Sequence, residues 1–172
     1  LWLWLYNPEV GLFNMVLEKL GLPKSYWLMD KKTVMLSLVI MSLWQVGGNV
    51  VIFLAALQGV PKDLLEAADI DGAGGVTKYF RITLPMISPA IFFQLVMGVV
   101  GALQVFNQAA LMTDGGPQRA TYFYVYFIYQ EAFVNYNMGY ASALAWLLFL
   151  IVLVITVFLV RYVGRTVYYE AE

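Results

Sequence analysis

Glu66-Ala67-Ala68-Asp69-Ile70-Asp71-Gly72, closed downstream by Ile82-Thr83-Leu84-Pro85, is a polar stretch set between two long apolar runs. Its chemistry is that of an ordered loop. Pro61 is suited to starting a helix, Lys62, Asp63 and Glu66 supply polar faces, and Leu64, Leu65 and Ala68 supply apolar and small ones. Ala67 and Ala68 have no bulk, so another backbone can approach them closely. Asp71-Gly72 is a turn signal, and Gly72 can adopt a positive φ. A second short helix is expected from Val76 to Ile82, with Tyr79, Phe80 and Ile82 as its apolar contacts. The stretch therefore predicts a helix–turn–helix over 58–83, and a polar, ordered loop of this kind presents a binding surface.

The flanking runs say where the loop sits. The chain of 172 residues is 62% hydrophobic and 12% charged, with a mean hydropathy of +0.74. A soluble domain carries about 25% charged residues, so this is an integral membrane protein. Three uncharged runs, about 34–57, 84–106 and 139–160, reach the roughly 20 residues needed to cross a bilayer. They must be helices, because hydrocarbon offers the backbone no hydrogen-bond partner. Pro85 and Pro89 fall in the opening turns of the second run, where a missing N–H matters least. Arg161 and Arg165 follow the third run at once, against Arg119 alone in the loop before it. Positive charge favours the cytoplasm. That puts the C-terminus and loop 58–83 inside and segments 6–33 and 107–138 outside; Lys31-Lys32 on the outside departs from the rule. The chain begins Leu1-Trp2-Leu3-Trp4, which resembles the end of an earlier span. The short polar tail Arg165–Glu172 is expected to be disordered.

The outer segments are legible too. Asn7 as N-cap, Pro8 at the first helical position and Gly21 with Pro23 as the stop delimit an amphipathic helix with an apolar stripe of Val10, Phe13, Leu17 and Leu20. Tyr122–Phe133 is expected to be a short interfacial helix with Tyr122, Tyr126 and Tyr129 on one face. The alternation of Tyr122, Tyr124 and Tyr126 leaves a strand open as the alternative, and a tilted span is the other.

Within the spans, polar side chains are costly and often functional. Ser42, Gln45 and Asn49 share one face of the first run. Gln94, Gly98, Gly101, Gln104 and Gln108, with Asn107 beside them, line the second. Amides donate and accept, which suits neutral polyols, so Gln45, Asn49, Gln94, Gln104 and Asn107 are candidates for a substrate pathway. The alternative is interhelical hydrogen-bond glue.

Other chemistry is narrowed by composition. There is no Cys and no His, so thiolate and imidazole metal sites and disulfides do not arise. No catalytic or metal-ligating set is expected. With a net charge of −1, no field selects nucleic acid. Gly72-Ala73-Gly74-Gly75-Val76-Thr77-Lys78 superficially suggests a phosphate loop, but Thr77 rather than Gly precedes the Lys and no strand leads in. Any ATP is hydrolysed elsewhere.

Glu-Ala-Ala, three residues, Gly, nine residues, Ile-x-Leu-Pro resembles the signature of the membrane subunits of binding-protein-dependent ABC importers. Glu66, Ala67, Ala68, Gly72, Ile82, Leu84 and Pro85 fill every position, and Asp71-Gly72-Ala73, Phe80 and Pro89 fit the longer version of the sugar importers. Asn7-Pro8-Glu9-Val10-Gly11-Leu12, Gly115-Gly116-Pro117 with Thr121, Tyr129-Gln130-Glu131-Ala132-Phe133 and Gly139-Tyr140-Ala141-Ser142-Ala143 extend the likeness toward the maltose and glycerol-phosphate type. The resemblance implies an all-α integral membrane fold, with spans four to six of a six-span type I importer permease, interfacial helices and a cytoplasmic coupling helix. It implies that Glu66 anchors the chain to a cytoplasmic ATPase subunit, with Ala67, Ala68, Asp69, Asp71, Gly72, Ala73, Phe80 and Pro85 forming the rest of the coupling site. No cofactor is then bound by this chain, since ATP and Mg belong to the ATPase. The further implied partners are a second permease subunit, in all expectation a paralogue, an extracellular solute-binding protein and membrane lipid. The implied location is the cytoplasmic membrane of a bacterium or archaeon. An importer of another solute such as an amino acid or peptide, a secondary-transporter fragment and a non-transporting scaffold are the competing classes.

Overall fold

The computed structural model describes residues 1–167, so most of the tail expected to be disordered lies outside the described residues. In chain order the α-helices are α1 (Trp2–Leu5), α2 (Leu12–Lys19), α3 (Val34–Leu43), α4 (Val46–Gln58), α5 (Lys62–Ile70), α6 (Gly75–Lys78), α7 (Leu84–Met86), α8 (Ser88–Leu103), α9 (Tyr124–Tyr129) and α10 (Met138–Phe158). No strand occurs among the described residues. The Tyr-rich segment is helical, as α9 followed by a π-helical turn over Gln130–Val134.

Among the described residues two helices are long and apolar enough to cross a membrane: Val34–Gln58 with 25 residues and Met138–Val163 with 26. The first comprises α3 and α4, separated by a tightened turn in which Gln45 N–H bonds to the Ser42 carbonyl at 3.0 Å. The second run departs from a straight span over 84–106. Gly75–Met86 and Ser88–Leu103 meet at a 63° bend centred on Ile87. Pro89 has no N–H to offer the carbonyl of Pro85, and its ring would clash there, so the helix must turn. The straight part, α8, has 16 residues, about 24 Å of helix. It ends at Leu103, which leaves Gln104 in a turn and Asn107 at the start of the next helical segment.

Contacts group the chain into two compact units. One comprises residues 1–45 and 102–149. Its centre is aromatic: Tyr6 lies 4.9 Å from Phe13 and 5.5 Å from Trp27, centroid to centroid, and the buried Tyr6 hydroxyl donates to the Ser37 carbonyl at 2.6 Å. Beside it Asn14, 1% exposed, uses its whole amide. Nδ2 donates to the carbonyls of Pro8 (2.8 Å) and Ser25 (2.9 Å), and Oδ1 accepts from Ser25 N–H (3.0 Å) and Trp27 Nε1 (2.8 Å). This changes the expected N-terminal helix. Asn7 does not cap it; Asn7 Oδ1 accepts from the N–H groups of Glu9 and Val10 in a turn, and α2 starts at Leu12. The stop at Gly21, φ +72°, is where the sequence places it. Val10 and Leu20 are exposed, so the buried side of α2 runs through Phe13, Asn14 and Leu17 instead.

The other unit takes in residues 46–101 and, of the described residues, 150–167. Its buried apolar centre is small, with Val60 and Ile87, beside a cleft lined by Ala56, Gly59, Met86 and Pro89. In Met138–Val163 the most apolar stretch buries no residue. A helix apolar on every side and exposed on every side requires lipid or further helices around it.

Candidate functional site

The loop is two helices joined by a turn, the second running from Gly75 to Met86 instead of Val76 to Ile82, and its own backbone fixes it. Pro61, with φ −60° and ψ 127°, precedes α5, and Asp63 in the first turn complements the helix dipole. At the other end the carbonyls are closed off without outside help. Gly72 N–H bonds to the Asp69 carbonyl at 3.0 Å and Ala73 N–H to the Ala68 carbonyl at 2.9 Å. This is the two-bond Schellman stop, which needs a left-handed residue after the cap. Gly72 supplies it at φ +75°, and a Cβ there would meet nothing within 4 Å, so glycine serves the backbone angle rather than close approach. Across the turn, Lys78 Nζ reaches Asp69 Oδ1 at 2.5 Å. α6 then widens into a π-helical segment, Tyr79–Thr83.

What the helix–turn–helix shows to its surroundings is specific. Glu66 and Ala67 are exposed, and Glu66 makes no ion pair or hydrogen bond among the described residues. Ile70, one turn on along the same face, is 88% exposed and Val76 is 74% exposed. Phe80 and Tyr79 are exposed as well, packed edge to face on each other at 5.1 Å rather than serving as inward contacts. Among the other candidates, Asp71 is exposed and Ala73 half-buried; Ala68 and Asp69 carry the bonds that hold the turn, and Pro85 lies just before the bend. Ile70 and Val76 were not among the residues the sequence singled out as candidates; for Ile70 the signal was an apolar side chain one turn from Glu66 on a helix too short to be a span, whereas Val76 sits on α6, beyond the turn.

The pathway candidates are not gathered by any mutual bond. Gln45, Asn49, Gln104 and Asn107 are exposed, and no hydrogen bond joins any two of the five among the described residues. Ser42 Oγ is satisfied within its own helix by the Val39 carbonyl at 2.7 Å. Gln94 differs, because its Nε2 is buried without a partner among the described residues.

In the segment 107–138, Thr121 is fully buried and bonds both Thr113 (2.6 Å) and the Gly116 carbonyl (2.7 Å), pinning Gly115-Gly116-Pro117. Tyr126 Oη donates to Asp114 Oδ1 at 2.5 Å and accepts from Gln130 Nε2 at 2.6 Å. The bond to Asp114, and then burial, hold the Tyr126 hydroxyl's pKa above the ordinary tyrosine value. Burial does the same for Tyr6.

Comparison with known proteins meets this geometry. Residues 1–167 match the family described as the binding-protein-dependent transport system inner membrane component. The chain is 39% identical over 165 residues to the probable ABC transporter permease protein YesP of Bacillus subtilis (strain 168), covering 94% of this chain and 53% of that protein. It is 39% identical over 173 residues to the sn-glycerol-3-phosphate transport system permease protein UgpA of Agrobacterium fabrum (strain C58), covering 98% and 58%. It superposes with a TM-score of 0.85 and 26% identity on a chain from the crystal structure of a bacterial ABC transporter involved in the import of the acidic polysaccharide alginate, covering 95% of this chain and 58% of that one. A second such structure holds an alginate pentasaccharide-bound periplasmic protein, with a TM-score of 0.84. The chain thus spans little more than half the length of these relatives. On this match, over nearly its whole length, the chain belongs to the binding-protein-dependent transport system inner membrane component family.

Proposed function

We propose that this chain is the translocating part of an ABC importer permease for a sugar or related polyol, with loop 58–83 as the coupling element that docks on a cytoplasmic ATPase subunit. Val34–Gln58, the bent second run and Met138–Val163 are its three membrane spans. Arg161 and Arg165 keep the loop on the cytoplasmic side with the C-terminus. The observation that carries this reading is that the helix–turn–helix is locked from within while Glu66, Ala67, Ile70 and Val76 stay uncovered. A surface so organised and unpartnered transmits force only if another protein grips it. ATP-driven closure of two ATPase subunits then drags the loops and rocks the spans between inward- and outward-open states. A second permease subunit and an extracellular solute-binding protein complete the assembly. The cargo class rests on the names of the relatives and on the amides of Gln45, Asn49, Gln94, Gln104 and Asn107. In the full-length permease, Glu66→Lys is expected to abolish transport and stimulation of the ATPase while the membrane subunits still assemble. Unchanged coupling in that variant would refute the docking role.

A further inference from the structure

A cavity of about 610 Å³ opens in the segment that follows the second span, lined by Phe106, Leu111, Asp114, Tyr126, Tyr129 and Gln130 among others. That size lies within the range of small-molecule sites, about 300–1,000 Å³. It is built rather than incidental. Asp114 holds a left-handed backbone, φ 50°, a conformation that Asp adopts more readily than most side chains and that ends the helical turn before it. Gly115 follows at φ +75°, so close under the rings that a Cβ would stand 2.7 Å from Tyr122 and 2.8 Å from Tyr126. The helix widens into π-turns on both sides, over Ala109–Thr113 and Gln130–Val134, a local geometry frequent at functional sites.

The chemistry left over in this cavity is selective. The Tyr126 hydroxyl spends its donor on Asp114 and accepts from Gln130. A carboxylate offers about four acceptor positions and an amide two donors and an acceptor. Among the described residues nothing else bonds the second Asp114 oxygen, the side-chain carbonyl of Gln130 or its other N–H. Beside them stands an aromatic wall. Phe106 and Tyr129 meet edge to face at 5.2 Å, and Tyr129 is 39% exposed, which leaves ring surface for the apolar face of a sugar. No Lys or Arg lines the cavity, and Asp114 enters no ion pair among the described residues.

We infer that this cavity is a subsite for a neutral polyhydroxylated ligand, a sugar ring or a linear polyol, held by Asp114 and Gln130 through adjacent hydroxyls and by the Tyr129 ring through stacking. The inference rests on the sugar-cargo reading above and deepens it, because the unpaired carboxylate selects against acidic sugars. The chain has no cysteine, which permits a direct test. In the full-length permease, freed of any other cysteine and assembled in vesicles with its partners, Leu111→Cys at the exposed rim is labelled with a membrane-impermeant maleimide. The probes are maltose, xylose and sorbitol against an alginate tetrasaccharide, with uptake of each measured in the same vesicles. At least one neutral probe is expected to slow labelling about fivefold or more, the uronate not at all. Asp114→Ala and Gln130→Ala should each remove most of that protection, and Asp114→Asn should let the uronate protect. A neutral probe that is transported without protecting the thiol introduced at position 111, or protection that survives both alanine variants, overturns the subsite and leaves the cargo reading intact. If no probe is transported and none protects, the cargo reading fails and takes the subsite with it.

Discussion

Substitutions at Gly72 separate a backbone requirement from a surface requirement in the proposed coupling loop. The residue sits at φ +75° with open space where a Cβ would go, so alanine adds no clash and its cost is conformational alone, roughly 1–2 kcal/mol for an L-residue in the left-handed region. Asparagine enters that region routinely and should cost well under ~1 kcal/mol. Valine, β-branched and a true outlier there, should reach roughly 2–3 kcal/mol. These penalties oppose the conformation in which Gly72 N–H meets the Asp69 carbonyl and Ala73 N–H the Ala68 carbonyl. A loss of 1–2 kcal/mol shifts such an equilibrium by about 5–30-fold. With full-length permease in nanodiscs titrated by its ATPase subunit, the concentration for half-maximal stimulation should rise by about that factor for Gly72→Ala. It should rise more for Gly72→Val and within ~3-fold for Gly72→Asn, following the left-handed preference. Equal behaviour of all three variants would refute the argument. So would an asparagine variant as poor as valine, which would mean that side-chain bulk at the interface, not φ, decides.

Asn14→Ala should lower the thermal midpoint of the detergent-solubilised protein sharply. It strips partners from Pro8, Ser25 and Trp27 at once, and each buried group left unmet costs about 1–3 kcal/mol; a shift no larger than that of an exposed control would contradict the hub. Tyr126 makes an alkaline signature. Its folded pKa lies above the ordinary value of about 10, so the stabilisation is fully present below that pH and is lost as pH rises through the folded pKa. Tyr126→Phe should flatten the loss of thermal stability above about pH 10, and an unchanged slope would remove the linkage. Asp69→Ala should weaken ATPase stimulation far less than Glu66→Lys. The Asp69–Lys78 pair is partly exposed, with side-chain exposures of 60% and 23%, and such pairs contribute about 0–1 kcal/mol; full loss of coupling would move Asp69 from the turn into the docking surface.

The loop and the apolar runs were open to sequence reading because each rests on local rules. Pro61 and Gly72 punctuate α5 through their own φ preferences, and an uncharged run needs no partner to be recognised. The bend at Ile87 was less legible, although its cause is present in the spacing. Pro85 and Pro89 look harmless when each is taken as an opening-turn residue, but the helix begins as far back as Gly75, which puts Pro89 where its missing N–H and its ring break a run already under way. The N-terminal helix shows a different limit. An Asn that caps a helix and an Asn that closes a turn accept the same neighbouring N–H groups, so Asn7 fits both. What decides is Gly11, where a Cβ would fall 2.3 Å from the Asn7 carbonyl oxygen, a contact between backbone segments. Asn14 was invisible for a related reason. Its partners at Pro8, Ser25 and Trp27 are brought to it by folding, and nothing in the spacing of a lone Asn on an apolar helix distinguishes it from a solvated one. The same holds for the Asp114–Tyr126–Gln130 chain, in which only Tyr126 and Gln130 share a helix face.

Contact between Glu66 and an ATPase subunit is the most direct measurement of the coupling account. In full-length permease without other cysteines, Glu66→Cys carrying a short bifunctional reagent should cross-link to the ATPase subunit. Ser42→Cys, within the first span, should not, and ATP should change the yield of the Glu66→Cys cross-link. Cross-linking confined to lipid or to the permease itself, in an assembly from which the ATPase co-purifies, would contradict the account.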